Sequence, residues 1–63
     1  MNNVVNLIVK EYKNIENNWL MTEIEVQIDG VIYDRSLHVV SLKDGKRVPY
    51  IDDVWEFDWE EII

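Results

Sequence analysis

Residues 23–42, EIEVQIDGVIYDRSLHVVSL, decide the fold. Ile24, Val26 and Ile28 alternate with Glu23, Glu25 and Gln27, the period of two that marks a half-buried strand. Asp29-Gly30 follows, and this pair readily takes the positive φ angles of a type I′ hairpin turn. The β-prone residues 31–42 return as a second strand. A two-residue loop sets Ile28 against Val31, Val26 against Tyr33, Ile24 against Arg35, Thr22 against Leu37 and Leu20 against Val39, which makes one largely apolar face. The other face carries Gln27, Glu25, Glu23, Met21 and Trp19 opposite Ile32, Asp34, Ser36, His38 and Val40. It is polar near the turn and apolar farther away, so another segment is expected to cover its far end.

Asp44-Gly45 predicts a second hairpin, with Ser41 facing Val48 and Val39 facing Tyr50, and Pro49 confines that strand to a sheet edge because it cannot donate to a ladder. Toward the N-terminus, Val4, Val5, Ile8 and Val9 are β-branched and favour a strand that turns over residues 14–18. The competing pattern, Val4, Leu7, Ile8, Glu11, Tyr12 and Ile15, is a helical stripe that Asn2 or Asn3 would cap. At the C-terminus Trp55, Phe57 and Trp59 alternate with Glu56, Asp58 and Glu60, which predicts a strand with one aromatic face. Its competitor is a helix starting at Asp53, with Glu56 completing a capping-box arrangement. Residues 1–63 are therefore expected to form a single small all-β domain, a five-stranded curled sheet or barrel built on a β-meander. The alternative is an α+β fold with an N-terminal helix on a three- to four-stranded antiparallel sheet.

The chain has 63 residues, no cysteine and one histidine, His38, so disulfides and thiolate zinc sites are excluded and stability must come from apolar packing or a partner. A domain this small buries only about 60% of its unfolded surface. Nearly half the residues are hydrophobic, at 48%, too apolar for an intrinsically disordered chain. The apolar residues 4–9 are interrupted by Asn6 and lack a basic flank and a small-residue cleavage site, and no run approaches the ~20 residues of a membrane span. A cytoplasmic protein without membrane contact is expected.

Charge is distributed unevenly. Thirteen acids against six bases give −7 overall, and residues 52–63 hold six of those acids and no base, which leaves −1 for residues 1–51. Net acidity argues against direct nucleic-acid binding, and Lys43, Lys46 and Arg47 read as a soluble hairpin tip. Asp34, Ser36 and His38 share a strand face, but alternate residues stand about 7 Å apart, beyond the hydrogen-bond reach that a nucleophile and base require. Glu25 directly opposite Asp34 would need a neutralising cation or Arg35, yet no ligand-wrapping loop is present for calcium. No motif implies a cofactor or an enzyme.

The C-terminal segment is the candidate site. Asp52, Asp53, Glu56, Asp58, Glu60 and Glu61 would present negative charge while Trp55 and Trp59 pack inside or contact a partner. On a strand, outward acids about 7 Å apart approximate the spacing of successive phosphates. In size, charge and compactness the chain resembles the short acidic proteins of phages and other mobile elements, several unrelated groups of which inhibit host nucleases, polymerases or defence complexes as nucleic-acid mimics. That resemblance implies a non-enzymatic phage- or prophage-type inhibitor whose partner is a basic, nucleic-acid-handling protein. A structural or assembly subunit acting through an edge strand and an aromatic patch, as a homo-oligomer or accessory subunit, is the second expectation.

Overall fold

The computed structural model describes residues 3–62, so Asn2 as a helix cap lies outside the described residues. Four strands, β1 (Val5–Asn14), β2 (Trp19–Ile28), β3 (Val31–Ser41) and β4 (Glu60–Glu61), form one antiparallel sheet in the order β3-β2-β1-β4. A single 3₁₀ turn, Val54–Glu56, precedes β4, and the described residues contain no α-helix. The all-β expectation holds, the N-terminal residues form a strand, and the sheet stays open with four strands.

Two hairpins build the sheet from local chemistry. Asp29 and Gly30 both have positive φ, 52° and 81°, as a type I′ turn requires. Asp29 also clamps the start of β1, accepting from the Val4 N–H through Oδ1 at 2.9 Å and donating its own N–H to the Val4 carbonyl at 2.8 Å. At the opposite end, residues 15–18 turn between β1 and β2. Asn14 Oδ1 accepts from the Asn17 N–H at 2.7 Å, and Asn18 takes φ 57°, the left-handed region that asparagine tolerates.

The β2–β3 register departs from a uniform two-residue-loop ladder. Ile28 pairs with Val31 and Gln27 with Ile32, but Val26 then pairs with Asp34, so an extra residue is accommodated in β3 at Tyr33. Beyond this bulge Glu25 faces Arg35, Glu23 faces Leu37, Met21 faces Val39 and Thr22 faces His38. The bulge replaces the unfavourable Glu25–Asp34 opposition with an ion-compatible one and moves Leu37 and Val39 onto the face of Met21, where both can pack.

The second hairpin is also wider than Asp44-Gly45 alone predicts. Gly45 N–H returns to the Ser41 carbonyl, Ser41 N–H donates to the Lys46 carbonyl and Val48 N–H to the Val39 carbonyl, so Val48 lies beside Val39 and Arg47 forms an isolated bridge with Val40. Pro49 has no N–H and Tyr50 turns to φ 60°, which stops a further strand from extending there and leaves the sheet unclosed.

Asn14, Tyr12, Lys10 and Ile8 of β1 share a face with Trp19, Met21, Glu23 and Glu25 of β2 and with Ser41, Val39, Leu37 and Arg35 of β3. The core sits at one end of this face: Met21 is 0% exposed, and Asn14, Val39 and Glu23 are buried beside it. Buried Glu23 accepts two bonds from Arg35, Nε at 3.1 Å and Nη2 more closely, across the diagonal of the ladder. Those hydrogen bonds, together with the carboxylate charge, raise the Arg35 pKa above its usual value. Stability gained from a raised basic pKa is lost only as pH rises through it. On the arginine side, the contribution is therefore fully present at neutral pH and is lost only under strongly basic conditions.

Candidate functional site

The acidic segment crosses over the buried end of the sheet and only then joins its edge. Asp53 caps the 3₁₀ turn, its Oδ1 accepting from the Trp55 N–H at 3.2 Å. Capping lets the chain bend so that Trp55 meets the Tyr12 ring edge-on, with centroids 5.7 Å apart, and Phe57 meets Trp19 at 5.1 Å. Trp59 folds back, its indole N–H donating to the Val54 carbonyl at 2.6 Å. Asn14 Nδ2 holds the Asp58 carbonyl at 2.9 Å, and the Ile62 N–H reaches the Glu11 carbonyl at 2.7 Å.

This arrangement corrects the expectation of a strand through residues 55–59. A strand needs an edge beside it, and Glu60 and Glu61 alone pair with Lys13 and Tyr12. The aromatic alternation reflects a segment laid across a face, and the helical alternative survives as one capped turn. The expected row of carboxylates about 7 Å apart therefore does not form along residues 56–60. Of the candidate contact residues, Trp59 is half-buried and Trp55 is 47% exposed with one edge on Tyr12. Asp52, Asp53, Glu56, Asp58, Glu60 and Glu61 are all exposed.

Asn14 is the residue that sequence reasoning missed. It reads as an ordinary turn asparagine, yet it is buried and ties the turn at residues 15–18 to the C-terminal segment with one amide. Asn14→Ala leaves the Asn17 N–H and the Asp58 carbonyl without these partners, and should cost about 2 kcal/mol in a urea or thermal denaturation. Asn14→Asp retains the acceptor for the Asn17 N–H but sets a buried carboxylate against the Asp58 carbonyl, and should cost at least as much as the alanine variant.

The opposite end of the molecule has no cover. Val5, Leu7 and Val9 of β1 line the second face of the sheet beside Ile28, Val26 and Ile24, and among the described residues no other secondary-structure element packs on that face. Leu7 is 64% exposed and Tyr33, at the bulge, 74%. Among the described residues thirteen large hydrophobic side chains are exposed, and eight of them fall within residues 4–9 and 31–33. The molecule is correspondingly long, 47 × 22 × 22 Å, with a Cα radius of gyration of 13.9 Å; a compact chain of this length has about 10.6 Å. Its accessible surface is 5058 Å² at 7.6 kDa, where monomers of that mass expose about 4,300 Å².

Other candidates lack convergent chemistry. Asp34, Ser36 and His38 remain spaced along one face of β3, and no hydrogen bond joins their side chains. The described residues contain no group of three or more His, Asp or Glu placed to hold a metal ion and no helix long and apolar enough to cross a membrane. A groove of about 600 Å³ lies between Leu37 and Val39 on one side and Val48, Tyr50 and Ile51 on the other. It is open to solvent and no buried polar group points into it. Compared with protein-family models, curated proteins and solved structures, the chain has no match.

Proposed function

We propose that this protein is a non-enzymatic, cytoplasmic protein-binding module that works as an assembly or accessory subunit through the uncovered end of its sheet. The supporting observation is the exposed apolar cluster at residues 4–9 and 31–33, on a chain with about 800 Å² more surface than its mass calls for. That excess is close to the ~800 Å² each partner contributes to a standard protein–protein interface. Placing so much apolar surface at one end favours a partner that covers it. The aromatic patch expected to share this role packs partly on the opposite end of the sheet, through Trp55 on Tyr12 and Phe57 on Trp19, with Trp55 left 47% exposed.

A second reading keeps the acidic segment as the contact surface of a phage- or prophage-type inhibitor directed at a basic, nucleic-acid-handling protein. It is favoured by the exposure of all six C-terminal carboxylates with no Lys or Arg salt bridge on that segment among the described residues. Charge alone would supply steering and salt-sensitive affinity there, without the regular phosphate-like spacing of a strand. Immobilised protein separates the two readings. Retention of a partner at about 1 M salt, unchanged when Glu56, Asp58 and Glu60 are reversed to Lys, is the outcome expected of the apolar surface. Release by salt and loss on charge reversal in a folded variant would transfer the function to the acidic segment.

A further inference from the structure

The two free edges at the bare end of the sheet differ in construction. On β3 the bulge at Tyr33 interrupts the ladder, and Asp34 Oδ1 accepts from the Arg35 N–H at 2.9 Å, so a charged side chain occupies a backbone donor. Bulges and charges of this kind discourage a strand from pairing with another chain. On β1, residues 4–9 contain no charge and no proline, and the pairing with β2 is unbroken from Val5 to Asn14.

The hydrogen bonds settle which groups β1 offers. The Ile62 N–H donates to the Glu11 carbonyl, so odd-numbered residues of β1 direct their backbone groups to the outer edge. β4 begins opposite Lys13 and Tyr12, and the outward N–H and C=O groups of Val5, Leu7 and Val9 meet no strand among the described residues. Because Asp29 clamps both backbone groups of Val4, this edge is held extended at its outer end.

Resting on the binding-module reading, we propose that β1 of a second copy occupies this edge, antiparallel and related by a two-fold axis at Leu7. Leu7 then faces Leu7 of the second copy, and Val5 and Val9 face Val9 and Val5. All three pairs exchange the backbone bonds now unmade, and their side chains meet on one face. The apolar sequence is self-complementary about that centre, as a two-fold contact requires. Pairing from Val4 to Lys10 stops one residue before Glu11, which Ile62 already holds. The antiparallel arrangement also sends the two acidic ends to opposite poles. Tyr12 lies five residues from the axis, which separates the β4 strands by roughly 30 Å, several times the ~8 Å Debye length at physiological salt.

The absence of cysteine permits a clean test, because Leu7→Cys carries one thiol. A hydrogen-bonded pair has Cα atoms about 5.5 Å apart, within the range a disulfide spans. Mild oxidation should convert most of the Leu7→Cys protein to a covalent dimer, while Tyr33→Cys, at a still more exposed position, remains monomeric. In wild-type protein the amides of Val5, Leu7 and Val9 should exchange at least ~tenfold more slowly than in Leu7→Lys, whose fold is checked by its tryptophan fluorescence. A wild-type monomer at about 0.5 mM, or a dimer in which these amides exchange freely and Leu7→Cys does not cross-link, overturns the proposal; the latter result would identify face-to-face packing. If the protein is monomeric but Leu7→Lys abolishes retention of another protein, the second-copy proposal fails and the binding-module reading stands. If Leu7→Lys changes neither self-association nor retention, both fail.

Discussion

Met21→Ala should lower the thermal midpoint by about 15 °C and leave part of the population unfolded at 25 °C. Met21 is completely buried, opposite Tyr12 on one side and Val39 on the other. Truncating a buried methionine to alanine costs about 2–5 kcal/mol. A domain of this length is stable by roughly 3–9 kcal/mol in total, and each kcal/mol moves its midpoint by about 4–8 °C. Met21→Leu nearly conserves volume and should cost less than about 1.5 kcal/mol. If both variants melted with the wild type, the buried core would lie elsewhere. Calorimetry with parallel circular dichroism makes the comparison.

Removing residues 52–63 should abolish cooperative unfolding. The deletion strips Trp55 from Tyr12, the strand partner of buried Met21, and Phe57 from Trp19, and breaks the Asn14 bond to Asp58. It also removes six acids, so a control must separate charge from packing. Replacing Asp58 by Asn and Glu60 and Glu61 by Gln neutralises exposed carboxylates while preserving the aromatic cover, and should shift stability by no more than about 0.5 kcal/mol. A truncated chain that still melted in one sharp transition would mean that the acidic segment is an appendage. That outcome would favour the charge-presenting reading, since an appendage is free to be an arm.

The two roles of the C-terminal segment explain why it was hard to read. Alternating Trp55, Phe57 and Trp59 report that every second side chain faces apolar surroundings, and a segment draped across a face meets that condition as well as a strand does. The discriminating fact is which edge is free to receive it, and that depends on where β1 lies. Asp53 carried the local signal for a capped turn. By contrast, the alternation in residues 23–28, the Asp29-Gly30 turn and the β-branched N-terminus led correctly to the three long strands, because each depends on nearest-neighbour backbone preferences.

The bulge at Tyr33 was legible only through its consequences. A continuous ladder places Glu25 against Asp34 and Arg35 against Ile24, two mismatches that one extra residue in β3 resolves together. Those opposed charges would need a cation or Arg35 to offset them; the bulge sets Glu25 opposite Arg35, while Arg35 bonds Glu23 diagonally. Asn14 had no comparable signal, since nothing in a run of turn asparagines says which one is buried. The same limit applies to the apolar end: β-branched residues that form a strand carry no local signal of whether another segment covers them.

Sedimentation velocity of the wild type, Leu7→Lys and the Glu56/Asp58/Glu60→Lys variant, each at about 0.05 M and 1 M salt, tests the central claim that the bare end of the sheet is the working surface. Association should survive high salt, persist after charge reversal and be lost in Leu7→Lys with the fold intact. Association that dissolves at high salt or in the charge-reversed protein, while Leu7→Lys retains it, would contradict that claim and place the interface on the acidic segment.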